Sequence, residues 1–364
     1  MRTVFNRYLG RLLMVAALVF LPCALLAWWL GPIAGDLVRL GPWSERDFGW
    51  TAPQPRLAVQ ANGRSQTDPA VLVLGDSFSM GNVWQSELQR RTGLSTQSFG
   101  YEQAPCLDAF IRMALAPRHA AARVVVLQTI ERHFLDRFED PPACAGDSVA
   151  PFETAPGLTH AAPLPGPFTV DWRYLIGASA NTARLARAPE AAFRTAETVN
   201  VPLTDSTLFS NRRAARLLYY AYDDAKSGWT EARLARAAAR LLAIEARLRA
   251  GGKQLLVVVV PDKSSVYREF LVSPPAPVPD AVSALARQGV STVELLAPMR
   301  AAVGSTPDLF MPDDTHLSAR GFERLGVEVA RWPGFAAVPA VPVPATPEPA
   351  SPASTPAPAP PIRP

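Results

Sequence analysis

A long uncharged apolar stretch near the N-terminus is the strongest hydrophobic feature of the chain. Residues 12–35 contain no charged side chain, three arginines precede them, and Trp28 and Trp29 lie near their far end. About 20 apolar residues cross a bilayer core, flanking arginines favour the cytoplasmic side, and tryptophans favour the interface. We predict that residues 1–35 form a cytoplasmic stub and a single-pass inner-membrane anchor, which places the rest of the chain in the periplasm. A cleaved signal peptide is the alternative, and it exports the same body.

Beyond residue 70, short apolar runs alternate with segments of helical spacing. Each run suits a parallel strand that is buried on both faces. The runs are Val71–Leu74, Arg123–Thr129 and Lys253–Val260. Helices are predicted over Val83–Arg91 and over Thr230–Ala250. In the second, Thr230 is the N-cap and a glycine pair follows the last residue. This alternation predicts an α/β fold, a three-layer α/β/α sandwich around a mostly parallel sheet over residues 71–335.

Three further segments differ in composition from this domain. Residues 36–70 are predicted to be a connector, punctuated by proline and aromatic residues. Residues 139–225 are predicted to be an insertion, whose part 172–224 is expected to be partly helical and to form a cap. Residues 336–364 are dominated by proline and alanine. Such a tail buries too little apolar surface to fold, and we expect an extended, disordered arm.

Charge and cysteine content exclude some classes of partner. The formal net charge is +4, but the arginines are spread along the chain rather than clustered with aromatic residues, so we expect no nucleic-acid partner. The three cysteines and four histidines form no C-x-x-C pair or Cys/His cluster, and we predict no metal site. Cys106 and Cys144 lie in the exported body, where they either form a disulfide or remain buried thiols.

Candidate chemistry appears at both ends of the predicted domain. Ser77 follows the first strand in Gly75-Asp76-Ser77, where its hydroxyl would lie at the sheet edge and nearby N–H groups would face developing negative charge. The alternative is a turn in which Asp76 caps a helix. Near the C-terminus, His316 follows Asp313 and Asp314. A histidine base activates a serine, and a carboxylate on its other nitrogen orients it. The alternative is a helix N-cap cluster.

Together these motifs resemble the SGNH/GDSL hydrolase superfamily. G-D-S-F after the first strand and D-x-x-H-L-S-x-x-G near the end carry the resemblance, which covers roughly residues 71–330. It implies Ser77 as nucleophile and His316 as base, with the acid from the same late loop. It also implies an oxyanion hole made by the N–H groups of Ser77 and Gly100. The superfamily's G-x-N-D block is replaced by Leu127–Arg132 (LQTIER) in this chain.

Two further blocks are similar to members of the alginate O-acetyltransferase type. Glu131-Arg132 follows one strand, and Pro261-Asp262-Lys263 followed by Tyr267 comes after another. The resemblance implies that Arg132, Lys263 and Tyr267, with Asp76, line or support the site. A structural ion pair of Arg132 and a helix cap by Lys263 are the alternatives.

The carboxylate that orients His316 is left open by the spacing. Asp314-x-His316 fits the alginate type, whereas Asp313-x-x-His316 fits the general superfamily. The serine precedes the histidine here, as in the general superfamily, so the sequence favours Asp313.

The resemblance implies an enzyme that needs no cofactor. We expect a periplasmic O-acetyltransferase that moves acetyl groups onto an exopolysaccharide through an acetyl-Ser77 intermediate, with a membrane-bound O-acyltransferase partner as acetyl donor. A carbohydrate esterase or deacetylase with the same triad is the first alternative. An inactive scaffold in a polysaccharide export complex is the second.

Overall fold

The computed structural model of the chain describes residues 2–29, 35–37, 47–104, 106–160 and 192–338. Its strands are β1 (Ala58–Val59), β2 (Val71–Gly75), β3 (Thr96–Gly100), β4 (Val124–Ile130), β5 (Gly157–Leu158), β6 (Phe193–Arg194), β7 (Thr198–Pro202), β8 (Arg216–Tyr220) and β9 (Gln254–Val260). Its α-helices are α1 (Arg2–Trp29), α2 (Ser77–Met80), α3 (Val83–Thr92), α4 (Leu107–Leu115), α5 (Phe134–Phe138), α6 (Glu231–Ala250), α7 (Lys263–Val266), α8 (Ala281–Arg287), α9 (Leu296–Val303) and α10 (Ala319–Ala330). Short 3-10 helices cover Pro117–His119, Glu131–His133, Ala221–Gly228, Arg268–Phe270 and Pro333–Ala337.

A parallel sheet lies at the centre, with strand order β3-β2-β4-β9. The three apolar runs predicted as strands form β2, β4 and β9, so the α/β prediction is confirmed. Val71 of β2 is in register with Thr96 of β3 and Val124 of β4. Because the strands run in parallel, their carboxyl ends meet at one edge, which carries Gly75, Gly100 and Ile130.

Two apolar clusters cover the sheet, because successive side chains of a strand point to opposite faces. Val71 and Val73 belong to one cluster, which contains residues of α3 and α10. Leu72 and Leu74 belong to the other, which contains residues of α4, α6 and α8. Fully burying a Val or Leu side chain contributes about 1.5–3 kcal/mol, so these uninterrupted runs specify a sheet with both faces covered.

Helix α6 has the predicted ends. The Thr230 hydroxyl caps it by accepting from the Arg233 N–H at 3.3 Å, and Gly251 follows its last residue. Leu234, Leu241 and Leu248 are buried along one face. This seven-residue spacing therefore packs the helix against the sheet.

The described part of the predicted insertion is mainly β-structure. β6, β7 and β8 form an antiparallel sheet, and β5 pairs with β1. Of segment 172–224, which was expected to be partly helical, residues 193–220 contain β6, β7 and β8, and a 3-10 helix begins at Ala221. Short stretches rich in β-branched and aromatic residues, such as Thr198–Pro202 and Arg216–Tyr220, favour strands. Residues 161–191 lie outside the described residues.

Both ends of the chain depart from the predicted boundaries. Helix α1 begins at Arg2, and its 18-residue segment Phe5–Pro22 is long and apolar enough to cross a membrane. Phe335 and Val338 are buried, so the folded part reaches beyond residue 335. The rest of the predicted tail, from residue 339, lies outside the described residues.

Cys106 and Cys144 are joined by a disulfide, with their Cα atoms 4.9 Å apart. Cys106 precedes the first turn of α4, and its sulfur also accepts from the Ala109 N–H. The bond ties the start of this helix to the insertion.

Candidate active site

Ser77 begins the four-residue helix α2, two residues after β2 ends. Its side chain is exposed. The backbone of Gly75 lies close to the side chains of Ser79 and Gln128, and a Cβ at this position would overlap both. Since the first N–H groups of a helix have no partner within the helix, Ser77, as the first residue of α2, has its N–H outside the hydrogen bonds of the helix.

Asp76 holds this turn from beneath. Its Oδ1 accepts from the Phe78 N–H at 3.1 Å and from the Gln128 side-chain amide at 3.0 Å. Its Oδ2 accepts from the Ile130 N–H at 2.6 Å. The capping role that was the alternative interpretation is therefore present, and it serves to place Ser77.

Gln128 is a residue that sequence reasoning passed over. It is fully buried in β4, and its Oε1 accepts from the Asp76 N–H at 3.1 Å and from the Ser79 hydroxyl at 2.7 Å. It lies in the block that replaces the superfamily's G-x-N-D motif. A polar side chain inside an apolar strand was the signal for it, because buried polar groups require partners.

His316 connects Ser77 to a carboxylate. Its Nε2 lies 2.7 Å from Ser77 Oγ, and its Nδ1 lies 2.6 Å from Asp314 Oδ1. The same Oδ1 accepts from the His316 backbone N–H at 2.8 Å. The Phe78 ring lies 4.8 Å from the imidazole, between ring centroids, and confines it. This arrangement has the geometry of a serine–histidine–carboxylate triad.

The structure places Asp314, rather than the favoured Asp313, against His316 Nδ1. The two-residue spacing lets Asp314 fold back onto both the backbone and the side chain of His316, as Asp does in tight turns. The carboxyl of Asp313 instead lies so close to Gly35 that a Cβ on this glycine would overlap it. The backbone carbonyl of Asp313 accepts from the Leu37 N–H at 3.0 Å.

The charges of the triad shift the pKa values of its members. Burial disfavours the imidazolium, but the charge and hydrogen bond of Asp314, together with the charge of Asp36, outweigh it and raise the pKa of His316 to about 9. Burial would raise the pKa of Asp314, yet the charge of His316 and its hydrogen bonds lower it below the usual value. Because a general base must be neutral, the reactive form of His316 becomes more abundant as the pH rises.

Lys263, the first residue of α7, supports the loop that carries the histidine. Its buried ammonium donates to the carbonyls of Met311, Pro312 and Asp314 at 2.6, 2.9 and 3.1 Å. Burial lowers the pKa of Lys263 to about 8, against the opposing effect of nearby carboxylates. The Lys263 ammonium therefore holds the histidine loop in place through its hydrogen bonds to three backbone carbonyls.

Arg132 and Tyr267 lie in the interior rather than along an exposed wall. The Arg132 guanidinium pairs with Asp262 at 2.7 Å and with Asp223 at 3.2 Å. Tyr267 is fully buried and stacks on Phe209 with ring centroids 4.8 Å apart. Both residues hold the elements beneath the triad, which agrees with the structural alternative for Arg132.

Gly100 lies at the same sheet edge as the serine turn. It ends β3, in register with Gly75 of β2. Its use as an oxyanion donor beside Ser77 stays a prediction.

One group of candidate metal ligands occurs among the described residues. Asp36, Asp314 and His316 place one donor atom each within 4.8 Å of one another. The imidazole, however, uses one nitrogen toward Asp314 and the other toward Ser77. Both imidazole nitrogens therefore have hydrogen-bond partners within the protein.

An apolar cavity of about 490 Å³ adjoins the acid side of the triad. Its lining includes Trp50, Leu158, Met311, Asp314 and Phe322. The cavity offers room for a bound molecule next to the reactive groups.

The comparisons with known proteins agree with this geometry. Residues 216–335 match the family model described as "SGNH hydrolase-like domain, acetyltransferase AlgX". The resemblance to this family is confirmed. No curated protein and no solved structure gives a significant match.

The AlgX-type match covers only one side of the site. Lys263, Asp314 and His316 lie within it, whereas Ser77 and Asp76 precede it by more than a hundred residues. The two parts meet at the 2.7 Å contact between His316 and Ser77.

Proposed function

We propose that the protein is a serine-dependent O-acetyltransferase with an acetyl-Ser77 intermediate. The observation that carries the proposal is the chain of short contacts from Ser77 through His316 to Asp314, in a chain whose residues 216–335 match an acetyltransferase domain. We place this chemistry in a three-layer α/β/α sandwich that α1 anchors to the inner membrane from the periplasmic side.

The first half of the reaction forms the acetyl-enzyme. His316 Nε2 takes the proton of the Ser77 hydroxyl, and Oγ forms a bond to the carbonyl carbon of the acetyl donor. The carbonyl electron pair moves onto oxygen, where the N–H groups of Ser77 and Gly100 stabilise the oxyanion. The intermediate then collapses, and the leaving group departs with the proton held by His316.

The second half transfers the acetyl group. A hydroxyl of the acceptor gives its proton to His316 and attacks the acetyl carbon, and Ser77 leaves and recovers the proton. Each oxyanion donor contributes about 10²–10³ in rate. Asp314 stabilises the imidazolium that exists in both halves.

The acceptor and the donor follow from the proposed location. Outside the inner membrane acetyl-coenzyme A is absent, so we propose that a membrane-bound O-acyltransferase passes the acetyl group across the bilayer to Ser77. The acceptor would be an exopolysaccharide, and the cavity beside Asp314 and Phe322 is a candidate place for one of its units.

A carbohydrate esterase is the second candidate. Ser77 is exposed, so water reaches the acetyl-enzyme as readily as a sugar hydroxyl does. The two reactions use the same triad and differ only in the acceptor. An inactive scaffold is the third hypothesis, and it requires no contact between Ser77 and His316.

The test uses the full-length protein in detergent with p-nitrophenyl acetate, with and without a panel of oligosaccharides. We expect acetyl-Ser77 by mass spectrometry and acetylated oligosaccharide among the products. Ser77→Ala should abolish both, whereas Ser305→Ala, which changes an exposed serine, should abolish neither. Release of acetate without any acetylated sugar would favour the esterase, and absence of acetyl-Ser77 would refute serine chemistry.

A further inference from the structure

The residue directly following the apolar N-terminal segment lies in the candidate active site. Asp36 is separated from Thr315 by 279 positions, yet its Oδ1 accepts from the Thr315 N–H at 2.8 Å. Its Oδ2 accepts from the Thr315 hydroxyl at 2.7 Å and lies 3.9 Å from His316 Nδ1. Its own N–H donates to Asp314 Oδ2 at 3.1 Å. Asp36 therefore contacts each of the three residues that form the acid turn.

The neighbours of Asp36 seat it from both sides. A Cβ at Gly35 would overlap the backbone oxygen and the carboxyl of Asp313, so a larger residue cannot take this place without a shift. Leu37 is buried against Phe48 and Leu218, and its carbonyl accepts from the Thr198 hydroxyl at 2.7 Å. The segment 35–37 is thus docked between the acid turn and the small antiparallel sheet.

The electrostatics match a second carboxylate for the histidine. Burial and the like charge of Asp314 raise the pKa of Asp36, while His316 and the hydrogen bonds from Thr315 oppose that rise. The titratable or charged groups around Asp36 and His316 are Asp313, Asp314, Lys263 and Arg132, and the neutral Ser77 hydroxyl lies at Nε2 of the imidazole. Of the two carboxylates near the imidazole, Asp314 contacts Nδ1 directly. Asp36 holds the turn through Thr315 and adds a second negative charge near His316.

We propose that Asp36 is a positioning residue of the catalytic centre, which holds the Asp314–Thr315–His316 turn and supplies a second carboxylate beside His316. The inference rests on the proposed serine acyl transfer for its kinetic consequence, but its geometric part is independent of the reaction. It implies that the membrane-proximal segment 35–37 is part of the active site, so docking of that segment supports the triad.

The test compares full-length Asp36→Asn with wild type in detergent micelles. The pKa of the His316 imidazole is followed by NMR with labelled histidine, and His316→Gln assigns its signal among the four histidines. The pH–rate profile of ester hydrolysis is measured beside it. Asp205→Asn is the matched control, because Asp205 is an exposed loop carboxylate whose partner is Thr207.

We expect Asp36→Asn to lower the pKa of His316 by about one unit, the size of effect that a nearby carboxylate produces. The acidic limb of the rate profile should move to lower pH by the same amount. Its plateau should fall by about tenfold, because the turn loses its hold on the imidazole. Asp205→Asn should change none of these quantities.

Two further variants keep the test decisive if Asp36→Asn folds poorly. Gly35→Val should expel the segment and reproduce the shift in the His316 pKa, and Thr315→Val should give a smaller shift by removing one hydrogen bond. An unchanged His316 pKa in the variants that fold overturns the proposal, whether or not their rates fall. If the wild type forms no acetyl-Ser77, the proposed function fails, and the NMR titration still decides the role of Asp36.

Discussion

Replacing Asp314 by Asn removes one negative charge from the triad without changing its size. The carboxylate oxygen that the substitution affects accepts from His316 twice, at 2.6 Å from Nδ1 and 2.8 Å from the backbone N–H. An amide oxygen in the place of Oδ1 can keep both contacts, whereas the amide nitrogen in the place of Oδ2 no longer accepts from the Asp36 N–H. What is lost is the attraction between the carboxylate and the imidazolium that forms when Ser77 attacks.

The size of that loss follows from the raised pKa of His316. A pKa of about 9, against the usual 6.5, corresponds to surroundings that favour the imidazolium by about 3 kcal/mol. Asp314 is the main source of the stabilisation. Asp314→Asn should therefore lower the plateau rate at high pH by about 10²–10³-fold. If the amide turns its nitrogen toward Nδ1, the histidine takes the wrong tautomer and the loss approaches about 10⁴-fold.

The assay is ester hydrolysis between pH 6 and 10, corrected with Ser77→Ala, together with the yield of acetyl-Ser77. The acidic limb should move to lower pH in Asp314→Asn, because neutral His316 then predominates earlier. Asp313→Asn is the matched neighbour, and it should keep the plateau rate within a few-fold. A large loss in Asp313→Asn with a normal rate in Asp314→Asn would refute the assignment of the acid.

Three further predictions concern stability and pH. Lys263→Met should lower the free energy of unfolding by about 2–4 kcal/mol and abolish ester hydrolysis, because the carbonyls of the histidine loop lose their donor. Lys253→Met, which frees two other carbonyls, should destabilise similarly but retain activity, as thermal melts and rates will show; equal rates in both variants would contradict the role of Lys263. Replacing Cys106 and Cys144 by serine should lower the free energy of unfolding by up to about 4 kcal/mol in denaturant titrations and leave the rate unchanged, whereas no loss of stability would contradict the disulfide. In the wild type, hydrolysis should rise between pH 7 and 9, since the pKa of His316 is about 9, and a rate that is flat over this range would contradict it.

Three of the four strands of the parallel sheet were predictable, because strands buried on both faces are mostly apolar. β3 (Thr96–Gly100) was not among the predicted runs, because its residues are buried but largely polar. Val124–Ile130 and Gln254–Val260 carry such mostly apolar runs, whereas a helix at the surface of a soluble domain has a polar face. The antiparallel strands of residues 193–220 were missed for the opposite reason. They are short and partly exposed, so neither length nor alternation separates them from helical segments.

The reactive pair was predictable because its chemistry restricts the residue types. A nucleophile at a sheet edge and a base in a late loop leave few substitutes for Ser77 and His316. The identity of the acid was not predictable, because both Asp313 and Asp314 are close enough in sequence to place a carboxylate near His316. Which side chain turns inward depends on the backbone of the loop, and that backbone is held by Lys263 and by segment 35–37.

Residues that act through hydrogen bonds to the triad have weaker sequence signals than residues that react. Many polar residues could satisfy the contacts of Gln128, and only its place inside a valine-rich strand made it unusual. Asp36 had no such signal, because it follows an apolar segment where a charged residue is expected in any case. The role of Asp36 depends on its contact with Thr315, which lies 279 positions away in the sequence and is brought near only by the fold. For this site, the reacting atoms are recognised by motif, whereas the groups that set their geometry and pKa values are recognised by contact.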